Sequence, residues 1–130
     1  MVKQLLTKAP ILVPPIDGES LLLYIAATMQ VVSAALVVER EEEGHALKVQ
    51  RPVYFISEVL SDSKTHYSQI QKLLYTILIT KRRIRHYFES HPVMVVTSFP
   101  LGEVIQSQDT MGRTANWVLE LMDQGITYAS

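Results

Sequence analysis

The stretch that decides the fold is residues 66–97, HYSQIQKLLYTILITKRRIRHYFESHPVMVVT. Ser68 stands as an N-cap with Gln71 three residues on, a capping box in which each side chain satisfies the other residue's free backbone N–H. Beyond it Ile70, Leu73, Ile77, Ile84 and Tyr87 or Phe88 recur at three-and-four spacing, and Leu74 and Leu78 widen the stripe to core-packing breadth. One long helix on a sheet is therefore expected, stopping around residues 89–92. Val93 to Thr97 (VMVVT) then reads as a buried strand. Strand, long helix and strand in succession predict a right-handed parallel crossover.

Upstream, Arg51 to Ser57 (RPVYFIS) is rich in β-branched and aromatic residues and reads as a strand. Leu21 to Ala27 and Val31 to Val38 are continuous apolar runs separated by Thr28-Met29-Gln30, the pattern of strands buried on both faces. Between them and residue 51, Glu39 to Glu43 (EREEE) and Gly44 form a solvated hairpin tip, because like charges at that density repel. Three meandering strands result. Pro10, Pro14, Pro15 and Asp17-Gly18 make residues 1–19 an extended connector ending in a turn.

Downstream, Pro100 suits the first turn of a short helix, and residues 106–112 read as a loop. Ala115, Val118, Leu119 and Met122, with Trp117 and Leu121 beside them, form the stripe of a second helix, with Gly125 as its C′ residue. Residues 126–129 begin a fifth strand. The order β-β-β-α-β-α-β over residues 20–130 is an α/β fold with a five-stranded mixed sheet and helices packed on it.

At 130 residues, 48% hydrophobic and 19% charged, the chain suits one domain. No apolar run approaches the roughly 18 to 20 residues of a membrane span, and early prolines interrupt any signal-peptide core. The absence of cysteine excludes disulfides, thiolate nucleophiles and zinc fingers. Twelve basic against thirteen acidic residues argue against a surface that is basic throughout, so any nucleic-acid contact must be local.

Several strings in this order resemble the ribonuclease H-like domain that follows the reverse transcriptase in gypsy-type LTR retrotransposon polyproteins, particularly plant elements. They are Leu23-Tyr24-Ile25-Ala26-Ala27-Thr28, Arg51 to Ser57, His66 to Ile77, Ile84-Arg85-His86-Tyr87, Val95-Val96-Thr97-Ser98 and the spacing of Arg113, Trp117, Leu119 and Leu121. The family's corresponding motifs read L-Y-T-D-A-S, R-P-I-A-Y-F-S, N-Y-S-x-x-E-K-E-L-L-A-I, F-R-H-Y, V-x-T-D and R-x-x-x-W-x-L-x-L. The resemblance implies a ribonuclease H fold truncated at its C-terminal end, with residues 1–19 as the connector from the polymerase. It implies as partners the polymerase and downstream domains of a parent polyprotein and an RNA–DNA hybrid, with no membrane, and location in a cytoplasmic particle or the nucleus.

Ribonuclease H chemistry hydrolyses an RNA phosphodiester with two metal ions about 3.5 to 4 Å apart, and magnesium demands converging oxygen ligands. The resemblance assigns the carboxylates to positions occupied here by Ala26, Leu73 and Ser98. Alanine and leucine have no donor atom, and a serine hydroxyl is neutral and weak. The expectation is a domain without catalytic residues, metal or other cofactor, kept for structure as a spacer or docking module; the alternatives are a module that binds an RNA–DNA hybrid or other nucleic acid without cutting it and, more distantly, an active ribonuclease H.

Glu39, Glu58, Asp62, Glu103 and Asp109 lack a spacing that implies convergence and read as surface acids. Lys81, Arg82, Arg83 and Arg85 form the basic patch suited to phosphate, and equally to complementing a helix C-terminus. His45, His66, His86 and His91 show no metal-ligand spacing. Ser33, Ser57 and Ser98 lie in no nucleophile elbow. Trp117 reads as core rather than a stacking platform.

Overall fold

The computed structural model describes residues 11–101, 116–117, 120–121 and 126–129. Its elements are β1 (Leu21–Ala27), β2 (Val31–Arg40), β3 (Val49–Val59), α1 (Asp62–Thr65), α2 (Gln69–Arg83), α3 (Arg85–Ser90), β4 (Val93–Val96) and β5 (Ile126–Ala129). The sheet order is β3-β2-β1-β4-β5. β1, β2 and β3 are antiparallel neighbours, whereas β4 runs parallel to both β1 and β5. The five-stranded mixed sheet is the expected one.

Period-2 alternation turns Leu21, Leu23 and Ile25 of β1 and Val93 and Val95 of β4 toward α2, where they share one core with Leu73, Leu74, Ile77 and Leu78. The opposite face of β1 is only half-buried, which corrects the reading of β1 as buried on both sides: among the described residues the helical side chains packed on β1 share the core on one face. β2 is closer to that reading over Ala34–Val38. Its register with β3 shifts between Leu36 and Val37, so that Leu36 faces Tyr54 while Val37 faces Pro52, leaving Val53 as an extra residue. This is a β-bulge. Pro52 fits beside it because β3 is an outer strand and no neighbour needs its missing N–H.

The capping box forms as expected: Gln71 N donates to Ser68 Oγ at 3.2 Å, and Ser68 N donates to Gln71 Oε1 at 2.9 Å. The single long helix does not. It divides at Ile84, whose φ of −123° and ψ of 48° are not helical, and resumes as α3. In the turns before the break, Thr76 and Thr80 hydroxyls donate to the carbonyls four residues back, at 2.6 and 2.7 Å, and such bonding perturbs the helical ladder. The break leaves Ile84 and Phe88 both in the core. The short helix α1 was not expected.

The hairpin tip is solvated as expected, with Glu39, Glu41, Glu43 and Gly44 exposed, while β2 runs on to Arg40 and Glu42 is paired with Arg51, whose Nε donates to it at 2.8 Å. Gly44, with φ of 86°, makes the turn. Of the lead-in, residues 11–20 form a strap along this end of the sheet. Val13 N donates to Pro52 O at 2.9 Å. Arg40 grips Glu19 through two bonds of 3.0 Å and also donates to Pro14 O at 3.1 Å.

The Arg40 guanidinium, aided by the Ile16 N–H, lowers the Glu19 carboxyl from 4.5 to about 2. A group depressed in the folded state adds stability above its unfolded value and loses it as pH falls through the folded one. Unfolding titrations should therefore show a step of about 1 to 2 kcal/mol between pH 4.5 and 2, modest because the pair remains partly solvated. Glu19→Gln should remove that step, and an unchanged acid profile would count against the pair as its source.

Candidate functional site

The candidate site lies where β1 and β4 end side by side. Tyr24 pairs with Val96, the last residue of β4, and Ala26 and Ser98 each follow that pair by two residues. Ala26 is exposed and pairs with Ser33 on β2, while Ser98 is exposed just beyond β4. Leu73 lies in α2, only 2% exposed, in the cluster that holds Leu21, Leu23, Ile25 and Ile77. Alternation along β1 directs Ile25 toward Leu73 and Ala26 to the other side. Two of the three positions thus lie near the ends of adjacent strands, and the third is part of the core.

Lys72, beside Leu73, is buried and donates through Nζ to the carbonyls of Thr28 and Met29, each at 3.1 Å. It ties the first turn of α2 to the β1–β2 turn. A magnesium pair would need several hard oxygen ligands here. Ala26 and Leu73 provide none, Leu73 is enclosed by hydrocarbon, and Ser98 offers one neutral hydroxyl. The donor set does not fit the metal. Among the described residues no group of three His, Asp or Glu side chains is placed to hold an ion.

The other acids are dispersed. Glu39 ends β2, Asp62 opens α1, and Glu58 on β3 accepts a bond from the Tyr75 hydroxyl. Burial and that bond raise the Tyr75 hydroxyl, which also accepts from Lys64 Nζ at 2.8 Å. Tyr67, Tyr75 and Trp117 surround this network with ring centroids 5.6 to 6.3 Å apart, so Trp117 packs against other rings instead of presenting an open stacking face. Glu103, Asp109, Arg113, the 106–112 loop and most of the second helix lie outside the described residues.

The basic run divides. Arg82 makes a two-pronged pair with Glu120, at 3.0 and 2.9 Å, and Lys81 Nζ donates to Glu120 O at 2.8 Å. These two cations secure the helical segment containing Asn116, Trp117, Glu120 and Leu121 to α2. Arg83 and Arg85 remain exposed, followed by His86, stacked at 4.1 Å on Tyr87. His45 and His66 are exposed, whereas buried His91 donates through Nδ1 to Glu19 O at 2.8 Å. The role of Lys72 was missed by sequence reasoning, since a lysine beside a core stripe reads as solvent-facing. The same holds for Glu120, the unrecognised partner of the basic run.

No protein of curated function matches the chain. Among solved structures, the foamy viral protease-reverse transcriptase in complex with dsDNA is similar over 91% of this chain and 24% of its own, at 17% identity and a TM-score of 0.68. The native prototype foamy virus protease-reverse transcriptase is similar over 98% of this chain and 17% of its own, at 16% identity and a TM-score of 0.67. The foamy viral enzyme in complex with RNA/DNA hybrid gives 85%, 15%, 17% and a TM-score of 0.59. The chain thus spans a quarter or less of the length of these neighbours, with which it shares the fold. The family model described as the RNase H-like domain found in reverse transcriptase matches residues 1–95, and with the sheet order this makes the chain a member of that family.

Proposed function

We propose that the chain is a catalytically inactive ribonuclease H-like domain of a gypsy-type LTR retrotransposon reverse transcriptase polyprotein. It acts as a structural spacer or docking module, joined to the polymerase through residues 1–19. What supports this reading is the donor set: Ala26, Leu73 and Ser98 occupy the positions to which the resemblance assigns metal-binding carboxylates, and Leu73 is built into the core. Replacing a carboxylate by leucine there also removes charge repulsion and adds roughly 1.5 to 3 kcal/mol of burial.

The test is incubation of the unmodified chain with a labelled RNA–DNA hybrid and magnesium or manganese, beside the variant Ala26→Asp, Leu73→Glu, Ser98→Asp. No cleavage by the unmodified chain is expected, and metal-dependent cleavage would overturn the reading. A second reading, a module that holds the hybrid without cutting it, is favoured by exposed Arg83 and Arg85. Salt-sensitive retention of hybrid, abolished by replacing those two arginines with alanine, would establish it over the spacer.

A further inference from the structure

β3 is an outer strand of eleven residues, long for an edge, and among the described residues no further strand pairs with it. Among the described residues, the strap gives it one backbone bond, from Val13 to Pro52. Of the strap's apolar side chains Val13 packs against the core, whereas Ile11 is 85%, Leu12 47% and Ile16 63% exposed. Its polar grip comes from Arg40, which holds Glu19 and Pro14 together. We infer that β3 is a latched pairing edge, covered by residues 11–16 in the single chain and, when the Arg40 latch opens, paired antiparallel with β3 of a second copy.

The edge is complementary to itself. Its two charges, Arg51 and Glu58, lie on opposite sides of the bulge, and the register of β3 on β2 gives them the same face of the sheet. Antiparallel pairing about a two-fold axis at Phe55, with Tyr54 opposite Ile56 and each Val53 left unpaired as the bulge residue, sets Arg51 of one copy opposite Glu58 of the other and Pro52 opposite Ser57. Parallel pairing in register would instead align like charges. The interchain pair extends networks already present, because Arg51 also binds Glu42 and Glu58 accepts from Tyr75.

Sedimentation velocity over a range of concentrations tests this with Arg40→Ala, which opens the latch, and Val13→Pro, which deletes the strap's bond to β3 but leaves Arg40 and Glu19 in place. Each should associate at least about tenfold more tightly than the unmodified chain, and adding Ser57→Lys at the edge should return each to a monomer. Where Arg40→Ala fails to fold by circular dichroism, Val13→Pro decides. Folded variants that stay as monomeric as the unmodified chain would overturn the inference. So would association that Ser57→Lys leaves intact, or an unmodified chain that already associates as tightly.

Discussion

Leu73→Glu alone is expected to destabilise the domain by about 3 to 5 kcal/mol. The side chain is 2% exposed among Leu21, Leu23, Ile25 and Ile77, so a carboxylate there loses its water and gains no cation. Lys72 cannot serve as the partner without releasing the carbonyls of Thr28 and Met29. Burial would raise the introduced group's pKa, so the loss should be greatest at neutral pH and shrink as acid protonates the carboxyl. Urea unfolding at pH 7 and pH 5 measures both effects. Magnesium should not restore the loss; restoration would reveal a surviving metal site and defeat the inactive reading. A loss below about 1 kcal/mol would mean that the side chain escapes to solvent.

Phe88→Ala should cost about 3 to 5 kcal/mol, comparable in size but different in spread. α3 has six residues, too few to stand alone in water, and Phe88 is its one buried residue. Losing that ring leaves a cavity and detaches the helix from the core. The loss should propagate, because His91 N donates to Tyr87 O, Leu21 N to Pro92 O, and His91 Nδ1 to Glu19 O. Hydrogen exchange should accelerate first in residues 85–91 and then at the start of β1, with the middle of α2 still protected. Uniform acceleration along the whole chain would show that α3 is no separate unit.

Most of the fold was readable because its signals are local. Ser68 and Gln71 announce the start of α2 three residues apart in sequence, and the 70–78 stripe announces its buried face. The break at Ile84 was not readable, since Ile84 and Phe88 continue the same periodicity that a straight helix would show. The solvated hairpin tip was legible, but its ion pair was not: Glu42 looks like one of several repelling acids until the β2–β3 register brings Arg51 beside it. At the candidate site the residue types were legible, but their placement was not. That Leu73 is core while Ala26 and Ser98 are exposed follows from strand alternation and helix position together. The basic run likewise needed Glu120, 38 residues away from Arg82, to show which cations are already engaged.

The extra residue at Val53 also limits how the chain can misfold. A uniform strand can slip along its neighbour by two residues and keep every side chain on its proper face, which makes two-residue slips the cheapest pairing errors. Here residues on either side of Val53 follow opposite parity, so a slipped β3 would carry its odd residue away from the irregular step at Leu36 and Val37 and set it against regular ladder. Residues caught between the two steps would then face the wrong side, apolar groups outward and polar groups inward. One misplaced residue thus works like the notch of a key: it makes near-miss alignments unequal to the true one.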